Sequence, residues 1–291
     1  MSHCVTLFLA ISLTMKHRQT SLGDGIIGKV KNWSVHLLKR EFDKAPWTIS
    51  QTFSGILWTL LPYLAFSLYA TRSSPPAAHH AKPVLISPQV DFINAIAFFI
   101  YAIIGEGVFL LAPLYFAKKS TSGDMRSILQ ILGFRRFNVR RVLPWMIVLF
   151  LSFFLVNYLY QLLITTFHLP LQTNDQIILE QGKVTPISVY ATLIAAAVIA
   201  PLCEEVFFRS FTFMGFLRSM PLWVAIVLSA FLFALIHLDL ASFAVLFFIG
   251  LSLAFLRWYS NSIWPCIILH MLNNATSGII IILTLHNVIK M

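Results

Sequence analysis

A chain of 291 residues that is 58% hydrophobic, 14% aromatic and only 11% charged carries more apolar surface than a soluble domain of this length can bury, so lipid must serve as solvent for much of it. Its apolar runs are long and unbroken, which selects membrane helices over the ten-residue alternating segments of a closed barrel. The formal net charge of +10 is distributed along the flanks of these runs, a pattern that points to anionic lipid headgroups and away from nucleic acid.

The fold class expected is therefore all-α, a polytopic membrane helix bundle of about seven to eight transmembrane helices. In chain order, the first apolar run, Val5 to Thr14, has no basic segment before it and no small-residue cleavage site after it. It reads as an interfacial piece or a misassigned start, and poorly as a signal peptide. Seven stretches long enough to span follow at 52–71, 92–117, 143–168, 187–208, 222–238, 241–258 and 263–285. The Pro- and Ala-rich residues 72–90 form an extended connector. Residues 122–142, with Ile128, Leu129, Ile131 and Leu132 among basic residues, suit a short helix on the inner headgroups.

With the N-terminus inside, 17 Lys and Arg residues fall on the cytoplasmic side and 4 on the other, the asymmetry of a positive-inside topology. The organisation expected is an N-terminal cytoplasmic or interfacial segment (1–51), a first set of transmembrane helices with loops (52–185), a second transmembrane core (186–285) and a short tail (286–291). Cys4, Cys203 and Cys266 form no C-x-x-C pair, which disfavours disulfides and cysteine-based metal sites.

Polar residues at bilayer depth are costly and mark candidate functional sites. Three groups stand out: Glu204-Glu205 with Arg209, Phe233 with His237, and His270 with Asn274. On a helix, Glu205 and Arg209 are four apart, in the favourable order for an ion pair, while Glu204 faces about 100° away. One carboxylate is thus neutralised while its neighbour stays available as a general base for water. A plainer account is a buried ion pair beside a snorkelling acid. His270 and Asn274 share one face and offer an imidazole and an amide for water or an oxyanion; interhelical hydrogen bonding would explain them equally. An antiparallel hairpin turning near Ser219-Met220-Pro221 places Glu204 and His237 at one depth, roughly 22–24 Å from the turn. His270 lies only about 12 Å from its own inner turn by the same rise, so tilt or a helix break must bring it level. Glu106, between Gly105 and Gly107, shows no partner in the sequence and is left outside the site. Asp239 falls in a loop, and His79-His80 have poor spacing for a metal. Zincin, nucleophile-elbow and Walker motifs are missing.

The stretch Ala200-Pro201-Leu202-Cys203-Glu204-Glu205-Val206-Phe207-Phe208-Arg209, then Phe233 to His237, then Ser262-Ile263-Trp264-Pro265 followed by His270 and Asn274, resembles the three motifs of the CAAX-protease and bacteriocin-processing family of intramembrane endopeptidases, over about residues 187–280. Ser210 stands where that family usually has Gly. The resemblance implies cleavage of membrane-associated peptides, prenylated or bacteriocin-like, near the cytoplasmic surface. It implies that Glu204 activates water, that His237 assists, and that His270 with Asn274 binds water, oxyanion or a metal, with Glu205, Arg209 and Phe233 in support. A divalent ion such as zinc on Glu204, His237 and His270 is one implied arrangement; catalysis without metal is the other. The implied partners are membrane lipids and a peptide or lipidated-protein substrate, and the implied location is a bacterial cytoplasmic membrane. Two alternatives remain: a non-catalytic scaffold or immunity protein, and a transporter with a polar path, for which polar residues confined to one half argue poorly.

Overall fold

A computed structural model describes residues 45–73, 87–171 and 187–289. The N-terminal apolar run, most of the Pro-rich connector and most of the 169–186 loop lie outside the described residues. Eight helices run in order among the described residues: α1 (Ile49–Ser73), α2 (Pro88–Lys119), α3 (Met125–Ile131), α4 (Val139–Thr166), α5 (187–219), α6 (Leu222–Ile236), α7 (Phe243–Ser260) and α8 (Trp264–Leu285). No strand occurs among the described residues. This is an all-α membrane helix bundle. Among the described residues, five helices are long and apolar enough to cross a bilayer: α2, α4, α5, α7 and α8. The span expected at 222–238 forms a helix of only 15 residues, short of the roughly 20 a bilayer requires.

Helix α5 differs most from expectation. The stretch expected to end at 208 continues to Ser219, in five segments: Ile187–Ile194, a π turn Ala195–Ile199, Ala200–Glu205, a second π turn Val206–Thr212, and Phe213–Ser219. Pro201 has no N–H to give the carbonyl four residues back, which accounts for a broken ladder just before it. Three side chains from other elements donate to backbone carbonyls in the two π turns. Asn274 Nδ2 reaches the Ala196 carbonyl at 3.0 Å, Ser229 Oγ the Phe208 carbonyl at 3.1 Å, and Trp47 Nε1 the Phe211 carbonyl at 3.2 Å. Carbonyls that a widened turn leaves poorly served are thereby satisfied.

Small residues set the close packing around this helix. Gly250 of α7 lies so near Ala230 of α6 that a Cβ there would sit 2.9 Å from the Ala230 Cα, the small-residue contact by which apolar helices approach without a hydrophobic driving force. Aromatic pairs join α1, α2 and α5: Tyr63 to Phe109 at 5.1 Å, Phe109 to Phe207 at 5.4 Å and Phe116 to Phe211 at 5.5 Å. Outward faces of α2 and α4 carry exposed Ile104, Leu111, Leu151 and Leu155, as lipid-facing surfaces should.

The short helix expected on the headgroups forms at Met125–Ile131, capped by Asp124 Oδ1 accepting from the Ser127 amide. Its apolar residues divide. Leu129 is exposed, but Ile128 and Leu132 are buried against the bundle, so the segment docks onto protein as well as facing outward. The chain after it folds under the α7–α8 turn. The Ile263 amide donates to the Gly133 carbonyl at 3.0 Å, Ser262 Oγ to the Arg135 carbonyl at 2.6 Å, and Ser210 Oγ to the Leu132 carbonyl. Gly133 (φ +86°) presses on the Arg257 guanidinium, leaving no room for a Cβ.

Candidate functional site

Three motifs meet around Phe233. Glu205 is fully buried, with Oε1 accepting from His270 Nδ1 at 2.9 Å and Oε2 lying 3.2 Å from Arg209 Nε. The second approach is close enough for charge attraction but is out of line for a hydrogen bond. The Arg209 guanidinium also sits over the Phe233 ring, 4.3 Å from its centroid, a favourable place for a desolvated cation. Both imidazoles contact the same ring edge to face, His237 at 4.8 Å and His270 at 5.6 Å. Phe233 is thus the common contact of Arg209, His237 and His270.

The histidine tautomers follow from their partners. His237 ends α6 and places Nδ1 2.7 Å from the Phe233 carbonyl. A carbonyl only accepts, so Nδ1 carries the proton and Nε2 keeps its lone pair in the neutral ring. His270 Nδ1 faces a carboxylate and follows the same rule.

The matched depth expected for Glu204 and His237 is present. Phe208 meets Phe233 at 5.4 Å; Glu204 lies one turn before the first and His237 one turn after the second on antiparallel helices, about 6 Å along each axis. His270, expected to fall short, comes level because its turn is not at the surface. Ser262 and Ile263 are fully buried, drawn into the bundle by the bonds to Gly133 and Arg135. Ser210, the departure from the family pattern, supplies one of the contacts that hold the same segment.

Glu204 is only half-buried, yet its Oε2 is buried without a hydrogen-bond partner among the described residues. Its electrostatic neighbours include Glu106 of α2, and both act on Tyr63 of α1 and on Cys203. Glu106, left outside the site on sequence grounds, is therefore beside it. The available signal was a lone acid at mid-span; its partner lies about a hundred residues away and has no motif spacing to reveal it. Asn274 shares a face with His270 but spends one amide hydrogen on Ala196 and accepts from Asn273 at 3.2 Å. Asp239 occupies the α6–α7 turn, where it caps Ser242.

Among the described residues, no three His, Cys, Asp or Glu side chains group as a metal site. The carboxylate that accepts from His270 is Glu205.

Residues 186–276 match the family model described as type II CAAX prenyl endopeptidase Rce1-like. That segment is similar to the type II CAAX prenyl endopeptidases, the family whose motifs the sequence resembles. It contains all three motif pairs, and with them every side chain gathered at Phe233. Among curated proteins, the chain is 26% identical over 102 residues to the "Putative membrane peptidase YdiL" of Bacillus subtilis (strain 168). That alignment covers 35% of this chain and 40% of the relative, so the chain matches less than half the length of that protein. No solved structure matches.

Proposed function

We propose that this protein is an intramembrane endopeptidase that hydrolyses peptide bonds of membrane-associated substrates, with Glu204 as the general base. The observation that carries the assignment is the contrast within the acidic pair. Glu205 is enclosed and committed to both Arg209 and His270, whereas Glu204 is partly accessible and keeps an oxygen with no partner among the described residues. A base must have a free oxygen for the proton it removes.

In this reading Glu204 takes a proton from water, and the resulting hydroxide adds to the substrate carbonyl. The water's other hydrogen is accepted by the Nε2 lone pair of one of the two imidazoles, His237 or His270, which orients it. The second amide hydrogen of Asn274 supports the developing oxyanion. Glu204 then returns the proton to the departing amine. Glu205 and Phe233 hold the His270 ring, and Arg209 balances Glu205.

The substrate class follows the family: peptides delivered along the bilayer, prenylated or bacteriocin-like, with lipid as the constant partner. An integral position in a bacterial cytoplasmic membrane, N-terminus inside, accords with the five apolar helices and the charge asymmetry. The test is cleavage of a lipidated reporter peptide by the purified full-length protein in lipid nanodiscs. Glu204→Gln should lower turnover by about 10²-fold or more while the melting temperature stays near wild type. Substantial activity in Glu204→Gln would move the base to another residue.

A further inference from the structure

Helices α2 and α5 run parallel, and their register can be followed from end to end. Asp91 accepts from the Ile187 amide near one end, Phe109 packs on Phe207 and Phe208 at 5.4 and 6.0 Å in the middle, and Phe116 stacks on Phe211 further on. Glu106 is three residues before Phe109, and Glu204 is three and four before Phe207 and Phe208. Each acid therefore shares a helical face with the ring that makes the contact, one turn away at the same depth. The facing acids each bury an Oε2 atom that has no hydrogen-bond partner among the described residues, and they feel one another electrostatically. Other titratable groups in this field are Tyr63 of α1, Tyr101 of α2 and Cys203 of α5. Gly105 and Gly107 on either side of Glu106 have no neighbouring atom within 4 Å of where a Cβ would stand.

Two carboxylates facing each other in a poorly solvated bundle cannot both carry charge cheaply, and one proton held between them removes the repulsion. We propose that Glu106 is a positioning residue for the hydrolytic reaction: as the carboxylic acid it donates a hydrogen bond to the Glu204 carboxylate and so fixes the Glu204 oxygen that takes the proton from water. Glu106 keeps its proton through the cycle; the proton from water travels on the other Glu204 oxygen to the leaving nitrogen. This assignment rests on the reading of Glu204 as the base.

Full-length protein in nanodiscs, assayed on one reporter peptide, tests both. Glu106→Met removes the donor at nearly constant size and should lower kcat by about tenfold at unchanged KM, the worth of one lost hydrogen bond. Glu106→Gln retains a donor, so it should stay within about threefold of wild type at neutral pH. It should also lose the alkaline-side fall in kcat/KM that wild type shows when Glu106 gives up its proton. A merely structural role would not move that limb. Equal damage from Gln and Met, or a Gln variant with the wild-type pH profile, would overturn the proposal. Infrared spectroscopy gives a readout that needs no substrate and no Met variant. The carboxylic-acid carbonyl band of wild type at neutral pH should vanish in Glu106→Gln, and a wild type without that band would also overturn it. If Glu204→Gln retains full turnover, the failure lies with the base assignment; if Glu204→Gln is inactive and Glu106→Met behaves as wild type, it lies with Glu106 alone.

Discussion

Glu205 and Arg209 show how one helical spacing is used twice. Their i, i+4 separation allows the ion pair, and full burial means that neither charge can turn to water. Arg209 has no hydrogen-bond partner for its two Nη groups among the described residues, so Glu205 and the Phe233 face are what offset its desolvation. Removing the cation leaves Glu205 buried with only His270 beside it. Arg209→Ala should therefore destabilise the fold by about 3–5 kcal/mol, read as a lowered melting temperature in detergent. Arg209→Lys should lose less, because a charge remains but the planar stacking on Phe233 is gone. A melting temperature unchanged in Arg209→Ala would mean that His270 alone can neutralise the buried carboxylate. The ion pair was legible in the sequence because both residues lie on one helix. The bond from His270 to Glu205 was not, since it depends on where α8 enters the bundle, and that is set by Gly133 and Arg135 on a distant loop.

At the scale of the helix, α5 is held by what its neighbours donate. The π turns bracket Ala200–Glu205, so the segment bearing both acids is set in rotation by its two ends. Ser229→Ala leaves the Phe208 carbonyl without its side-chain donor inside a buried interface and should cost about 1–3 kcal/mol, measurable by thermal unfolding; Ser229→Thr, which keeps the hydroxyl, should recover part of it. Periodicity predicted the helix here but not its two widened turns, because apolar residues on every side leave no polar face to show a shift in phase. The docking of α3 carries a pH signature. Hydrogen bonds from the Ser122 hydroxyl first, then from Ser127, hold Asp124 below the usual carboxylate range. A carboxylate lowered on folding stabilises fully above its unfolded value of about 4 and loses that contribution as pH falls through the folded value. Exchange protection of the Ser127 amide, corrected for intrinsic rate, should thus hold from neutral pH down to about 4 and fall below it. Asp124→Asn should abolish that acid dependence, and the same acid loss in both proteins would assign it to another group.

Across the whole molecule, the described helices of both halves pack into one compact unit, Lys44–Met291, and burial revises the charge argument for its orientation. Arg209 and Arg257, counted among the 17 cytoplasmic cations, are fully enclosed and cannot meet headgroups. Arg218 is partly drawn inward too, with Nη1 donating to the Ala45 and Pro46 carbonyls at 2.8 Å. What remains on the described chain is the group at one end of α2 and α4: Lys118, Lys119, Arg126, Arg135, Arg136, Arg140 and Arg141. These flank short loops, where positive charge has its strongest effect on insertion, and the proposed orientation rests on these fewer cations. Gln130 is exposed beside that group, and Ser87 is exposed at the opposite end of α2. In a variant with Cys4 replaced by Ser, Cys203 and Cys266 are buried, so a single new cysteine reports its own side. With a membrane-impermeant thiol reagent on intact cells, Ser87→Cys should be labelled, and Gln130→Cys should be labelled only after the membrane is opened. The reverse pattern would place the basic loops, and with them the α7–α8 turn that brings His270 to Glu205, on the outer side of the membrane.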